Sequence, residues 1–282
     1  MENFISYNPT RLHFGKGVVS ELGPIAERLG KKALIIYGKG SVLKNGSYKD
    51  VSDQLSAHGI EEFIYHGIKS NPRVTEVDEA AKLGIANDID LIIAIGGGSV
   101  IDSAKIISIC IHDHQKGWDV MTGEHTPRGA VPLLAVLTLA ATGTEMNAVA
   151  VLQNQDTDEK NGFRHSLLYP RHSFLDPTYT LSVPPNYTAF GIVDLVAHSL
   201  EAWFGSGEAT LSDRFVVSII QEAFYYGPRL MEDLTNYDLR AKIMWAATNA
   251  LNDMTMHGRK TGDWGVHARS EERRVGKECA TG

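Results

Sequence analysis

Asp194 and His198 stand four residues apart in the segment Phe190-Gly-Ile-Val-Asp194-Leu-Val-Ala-His198-Ser-Leu-Glu201. Four residues is just over one helical turn, so both side chains leave the same face of a helix whose other positions are largely apolar. A carboxylate in that setting stays ionised only with a partner, and a divalent cation facing an Asp/His pair supplies one. A third residue of ligand type, His267, follows the turn Gly262-Asp-Trp-Gly-Val. One carboxylate and two imidazoles suit Fe(II), Zn(II), Ni(II) or Mn(II). The competing reading is a core polar network whose histidines bond to backbone. Glu201, one turn beyond His198, reads either as support for a ligand or as an exposed acid. His257 is expected to line a cleft near the site. His112, His114, His165 and His172 lack ligand spacing and are expected at the surface.

A second chemistry is written in the glycines. Gly96-Gly97-Gly98-Ser99 follows an apolar run and opens an apolar-periodic stretch. Backbone N–H groups at such a helix start, approached closely because glycine has no side chain, form a pyrophosphate cradle. Asp102 falls one turn in, either as a hydrogen-bond partner for cofactor or substrate or as an ordinary acid at a helix start. Tyr37-Gly38-Lys39-Gly40-Ser41 ends an earlier apolar run, where a dinucleotide fold reads the adenosine ribose. An Asp there would accept from a free 2'-hydroxyl and repel a 2'-phosphate, whereas this chain offers Lys39, Ser41 and Lys44. That balance favours NADP(H) over NAD(H). Thr138-Leu139-Ala-Ala-Thr142-Gly-Thr144 follows a third apolar run, with hydroxyls suited to phosphate, ribose or carboxamide; a satisfied polar turn is the alternative.

These residues need elements to hold them. From residue 32 the pattern runs strand (33–37), glycine turn, helix (48–58), strand (62–66), helix (74–87), strand (91–95), then a helix from residue 100. This is the alternation of a parallel sheet with crossover helices. Such sheets bind ligands beyond the carboxyl ends of their strands, and the loops at Gly38 and Gly96 both fall at that edge. Past residue 180 the strand signal fades, and apolar-periodic stretches at 187–204, 211–226 and 239–254 predict an all-helical region after the Pro184-Pro185 pair. The expected organisation is an α/β dinucleotide-binding domain over 1–180 and a helical metal-binding domain over 181–268. The acidic stretch 154–161 reads as a solvated loop or hairpin.

Composition narrows the partners. The chain has 282 residues, 43% of them hydrophobic, and a formal net charge of -7. That charge disfavours non-specific attraction to nucleic acid or to an anionic membrane. The apolar stretch 91–111 is broken by three glycines, Asp102 and Lys105, so it reads as strand, loop and helix rather than a membrane span. The two cysteines, Cys110 and Cys279, form no disulfide framework and no metal spacing, which fits a reducing cytoplasm. The first residues lack the basic start and apolar core of a signal peptide.

In their order along the chain, several motifs carry a resemblance. They are Asn8-Pro-Thr-Arg-Leu-His-Phe-Gly15, Tyr37-Gly-Lys-Gly-Ser41, Ser70-Asn71-Pro72, Gly96-Gly-Gly-Ser-Val-Ile-Asp102, Thr138-Leu-Ala-Ala-Thr-Gly-Thr-Glu145, Asp176-Pro177, Asp194-x3-His198 and Gly262-Asp-Trp-Gly-Val-His267. The chain resembles the iron-containing (group III) alcohol dehydrogenases, on the branch of the NADP-dependent butanol dehydrogenases and aldehyde reductases, from residue 4 to about residue 268. The resemblance implies a Rossmann-like α/β domain followed by an all-α metal domain, an architecture shared with dehydroquinate synthase. It also implies hydride transfer between NADP(H) and primary alcohols or aldehydes, one divalent metal (Fe2+ or Zn2+) on Asp194, His198 and His267, and a homodimer through an edge strand at residues 12–14. It adds Asn71, Lys160 and Tyr179 to the cofactor contacts; without it, Lys160 would be a surface lysine and Tyr179 an interface tyrosine. The family usually has Pro at the position of Ala140 and Ser at that of Thr144.

The family's fourth metal ligand is a histidine beyond His267, at a position matching Thr281 or its neighbours, and a further family histidine is matched by Glu271. Residues 269–282 resemble the conceptual translation of a sequencing-adapter oligonucleotide and are expected to be non-native, with roughly a hundred family residues missing after them. Two alternatives follow from these features: a truncated, non-catalytic cofactor-binding fragment, or a metal-dependent lyase or cyclase of the dehydroquinate synthase type.

Overall fold

Apolar runs without alternation, such as those at 33–37, 91–95 and 133–137, are satisfied only where both faces of a strand are covered. The computed structural model, which describes residues 1–265 and 267, shows how this is met. Its strands are β1 (Arg11–Phe14), β2 (Lys32–Tyr37), β3 (Glu61–His66), β4 (Leu91–Gly96), β5 (Leu133–Leu137), β6 (Val149–Asn154), β7 (Glu159–Arg164) and β8 (His172–Leu175). Its helices are α1 (Leu22–Leu29), α2 (Ser41–Lys44), α3 (Ser47–Ala57), α4 (Val74–Ala86), α5 (Gly98–Asp113), α6 (Gly117–Thr122), α7 (Pro185–Trp203), α8 (Thr210–Glu232) and α9 (Tyr237–Ala250). The readings made for Glu271, Cys279, Thr281 and the rest of 268–282 lie outside the described residues.

Six strands form one parallel sheet in the order β1-β8-β5-β4-β2-β3. Because side chains alternate across a strand, Leu34, Ile36, Ile92 and Ala94 face one layer, with Ala80, Ala104, Ile107 and Cys110 of α4 and α5. Ala33, Ile35, Ile93 and Ile95 face the other, with Leu22, Ala26, Val51 and Leu55 of α1 and α3. Truncating one of these fully buried leucines or isoleucines to alanine costs about 2–5 kcal/mol. The strand order reverses between β2 and β4: the chain moves outward from β2 to β3, then returns to pair β4 on the other side of β2. The carboxyl ends of β2 and β4 therefore flank the crevice of an open α/β sheet.

The remaining elements refine the expectations. The acidic stretch 154–161 is the tip of the antiparallel β6–β7 hairpin. β1 is the edge strand that the resemblance implied at residues 12–14, and β8, read from no pattern, has only four residues and gains its place by pairing on both sides. α7, α8 and α9 pack together around Leu195, Ile219, Ala223, Leu230, Ile243 and Ala247. α8 runs past the expected end at residue 226, through Pro228 to Glu232. α9 stops four residues before the expected 254, because Asn252 turns its side chain to accept from Met254 N–H and Asp253 adopts a φ of 75°. Asn and Asp offer the backbone such local alternatives to helix.

His172 is not a surface residue. On β8 it is half-buried, accepts or donates a 2.9 Å hydrogen bond with His13 across the β1–β8 pair, and stacks on that ring. His112 and His114 are exposed, and His165 uses its ring to cap Leu167 N–H. No helix among the described residues is long and apolar enough to cross a membrane.

Candidate metal and cofactor site

α7 starts with Pro185 at its first position, where a missing N–H is no loss, and carries Asp194 and His198 on successive turns. His198 is buried, and its Nδ1 has no hydrogen-bond partner among the described residues; the nearest carboxylate oxygen, Asp194 Oδ2, is 3.9 Å away. His267 is brought to the same place by a turn anchored on Glu201. The Glu201 carbonyl accepts from Asp263 N–H at 2.8 Å, and its carboxylate accepts from His267 N–H at 2.9 Å and meets His267 Nδ1 at 2.5 Å. With Nδ1 so held, His267 Nε2 faces Asp194 Oδ1 at 3.5 Å, and its ring stacks on His198 with centroids 4.5 Å apart.

Ligand atoms of Asp194, His198 and His267 thus lie within 4.8 Å of one another. Burial pushes the His198 imidazole below its ordinary value, against the pull of Asp194. Burial acts on His267 in the same sense, but hydrogen bonds and charges from Asp194 and Glu201 outweigh it and push that ring up to about 9. Two carboxylates and an orphaned buried nitrogen therefore ask for positive charge at one point. These residues fit a divalent cation: Asp194, His198 and His267 would hold it, and Glu201 would fix the orientation of His267.

The loops expected to take a cofactor follow the carboxyl ends of β2, β4 and β5. Gly97 is the extended residue before α5, and its carbonyl accepts from Val100 N–H and Ile101 N–H, which leaves Gly98 N–H and Ser99 N–H as the first-turn amides without an intrahelical acceptor. A Cβ on Gly98 would lie 2.7 Å from Thr142 Oγ1, and one on Gly97 would lie 3.2 Å from Leu139 Cβ, so the glycine turn and the hydroxyl turn touch. Thr138 N–H bonds to Gly96 O, and Ser99 Oγ donates to Ser70 O at 2.6 Å, placing exposed Asn71 beside the same helix start. Gly38 packs against the next strand's loop, with Gly67 N–H bonded to its carbonyl; Lys39, Gly40 and Ser41 stand exposed at the start of α2.

Three residues sit differently from a simple contact list. Asp102 accepts from Thr144 Oγ1 at 2.5 Å and Val151 N–H at 3.1 Å, and burial pushes its carboxyl upward. Lys160, on β7, lies within electrostatic reach of Asp102. Tyr179 is buried with its hydroxyl bonded to Asp50 at 2.7 Å, so its ring belongs to the core beside α3. His257, expected to line a cleft, stacks on Phe4.

The Asp194, His198 and His267 cluster and the hydroxyl turn are neighbours through one residue that spacing alone did not single out. A Cβ on Gly191, one turn before Asp194 on α7, would sit 2.3 Å from the carbonyl oxygen of Ala140 in the hydroxyl turn. The missing side chain lets the two halves close together there.

Residues 9–177, more than half the chain, match the family model described as iron-containing alcohol dehydrogenase. The chain is 41% identical over 268 residues to a probable NADH-dependent butanol dehydrogenase 2 of Bacillus subtilis, covering 95% of this chain and 68% of that protein. It is 37% identical over 278 residues to the NADPH-dependent aldehyde reductase YqhD of Escherichia coli, covering 96% of this chain and 70% of that one. A crystal structure of an NADH-dependent butanol dehydrogenase A from Thermotoga maritima superposes with a TM-score of 0.94 at 36% identity, over 98% of this chain and 69% of that chain.

Proposed function

Because this chain belongs to the iron-containing alcohol dehydrogenase family, we propose that it acts as a metal-dependent, NADP(H)-linked oxidoreductase on primary alcohols and aldehydes of the butanol/butanal class. A nicotinamide cofactor and a metal follow from the family; the preference for the 2'-phosphorylated cofactor and for Fe2+ or Zn2+ is our reading. The observation that carries it is the convergence of Asp194, His198 and His267 one helical turn from Gly191, where α7 abuts the hydroxyl turn. A bound nicotinamide would supply hydride chemistry, and a cation held by Asp194, His198 and His267 would supply polarisation of the substrate oxygen.

The chain's own residues do the rest. The amides after Gly97 and the turn from Thr138 to Thr142 hold and orient the dinucleotide, and α7 sets the spacing between that turn and the metal ligands. Lys39, Ser41 and Lys44 favour a phosphorylated ribose. The named relatives include NADH-dependent and NADPH-dependent enzymes, so the discriminating support is local charge rather than kinship. Those relatives are dehydrogenases and a reductase, which supports redox chemistry over a lyase or cyclase. The reading includes a cytoplasmic location and a homodimer formed through β1, supported by the place of β1 at the sheet edge with Phe14 exposed.

The test is NADPH and NADH binding by fluorescence, followed by aldehyde-dependent oxidation of the bound cofactor in protein loaded with Fe(II) or Zn(II). NADPH binds more tightly, and Lys39→Asp weakens NADPH binding about tenfold, about 1.4 kcal/mol, while NADH binding holds or tightens. Equal affinities that Lys39→Asp does not separate would refute the cofactor preference.

A further inference from the structure

Lys105 is a fully buried lysine and takes no direct part in the chemistry above. It sits on α5, two turns after the cofactor glycines. A lysine is taken out of water only where its donors are met. Its Nζ donates to Thr144 Oγ1 at 2.7 Å, Asn147 O at 2.9 Å, Asn147 Oδ1 at 3.1 Å and Val149 O at 2.7 Å. All four acceptors lie on the strap that leads from the hydroxyl turn into the β6–β7 hairpin. Thr144 Oγ1 in turn donates to Asp102 on α5.

The far side of the same strap holds the helical half. Asn147 Nδ2 donates to Leu251 O just after α9, Thr248 Oγ1 of α9 donates to buried Glu145 Oε1, and Gly143, at a φ of +61°, packs where a Cβ would lie 3.2 Å from Ala247 O. One buried cation thus ties together the glycine turn on α5, the hydroxyl turn, the hairpin that carries Lys160, and α9. We infer that Lys105 is a positioning residue for the dinucleotide: its ammonium fixes the hydroxyl turn between α5 and α9 and thereby sets cofactor affinity.

The inference rests on the dinucleotide reading of these loops. The charged groups facing the ammonium are Asp102 on α5, Glu145 on the strap and Arg164 on β7, with Lys160 facing Asp102. Burial pushes Lys105 down to about 8, against the opposing pull of Asp102 and Glu145, so its positive charge weakens as pH rises above neutrality. The ammonium shares three N–H donors among these four acceptors, and a neutral amine has only two.

The experiment measures NADPH dissociation constants from pH 7 to pH 9 for the unsubstituted protein and for Lys105→Met, with amide hydrogen exchange of both proteins without cofactor at one pH. The dissociation constant of the unsubstituted protein rises at least about tenfold over that range. Lys105→Met binds at pH 7 as weakly as the unsubstituted protein does at pH 9, and its affinity is flat with pH. In the variant, exchange accelerates together at residues 138–149 and 244–251 while β2 and β4 stay protected. Unchanged NADPH affinity of Lys105→Met at pH 7 overturns the inference, and where that variant fails to fold, Asn147→Ala, which removes one acceptor of the ammonium and the bond to Leu251, is read the same way. Acceleration confined to residues 144–149, without 244–251, overturns it as well. Failure of the unsubstituted protein to bind either dinucleotide at pH 7 would count against the dinucleotide reading itself, and the exchange arm would then decide the coupling alone.

Discussion

At the scale of single residues, the pairing of Asp194 with His198 was legible because helical periodicity puts them on one face, but what aims His267 at them was not. Glu201 could be read as support or as an exposed acid; only the fold shows it buried and bonded to both the amide and the ring of His267. A partner of that kind fixes a ligand's tautomer and basicity, and losing it typically weakens metal affinity by about 10–100-fold. Glu201→Ala should lose that much in a chelator competition titration, with Glu201→Gln intermediate because it keeps one acceptor. Unchanged affinity in both variants would return Glu201 to a purely structural role. Lys105 was equally opaque: in the sequence it is an interruption in an apolar run, and its four acceptors come from residues about 40 positions away.

At the scale of elements, the strands that could be read were those long enough to repeat a pattern. β2, β4 and β5 are uninterrupted apolar runs, whereas β1 and β8 are four residues each and owe their state to sheet partners. Helix ends were lost to local chemistry, as at Asn252 and Asp253, where side-chain turns end α9 early. Element contacts also yield predictions. In Gly191→Ala the new methyl meets the Ala140 carbonyl, so α7 must move away from the hydroxyl turn at a cost of about 1–3 kcal/mol. Metal and cofactor affinity should both fall in that variant, measured separately by metal titration and by NADPH fluorescence. Loss of neither would show that the halves tolerate a wider spacing.

A second prediction belongs to the end of α5. Asp113 is buried and receives His112 Nδ1 and His125 Nε2 at 2.7 Å and Arg128 N–H at 2.8 Å. Burial pushes its carboxyl up, but these donors outweigh it and hold the carboxyl down to about 2. A group depressed in the folded state stabilises above its unfolded value, near about 4, and that contribution disappears as pH falls through about 2. Urea midpoints of the parent and of Asp113→Asn should therefore differ at pH 7 and converge between about pH 4 and pH 2. A difference that stays constant over that window would remove the ionised carboxylate from the account.

At the scale of the whole molecule, the arrangement is a parallel sheet whose strand order reverses at β2–β4, where we propose the dinucleotide binds, and a set of helices that brings Asp194, His198 and His267 together. The order of motifs along the chain announced both halves, and family membership is shown by the match over residues 9–177. The seam between the halves was not legible, since Gly191 against Ala140 and Asn147 against Leu251 join residues 51 and 104 positions apart. The account stands or falls on positive charge being held where Asp194, His198 and His267 converge. The most direct measurement is the metal content of the purified protein after anaerobic reconstitution with Fe(II) or Zn(II) and desalting, beside Asp194→Ala. The account predicts about one equivalent per chain in the parent and none in the variant. No retained metal in the parent, or the same content in both proteins, would contradict it.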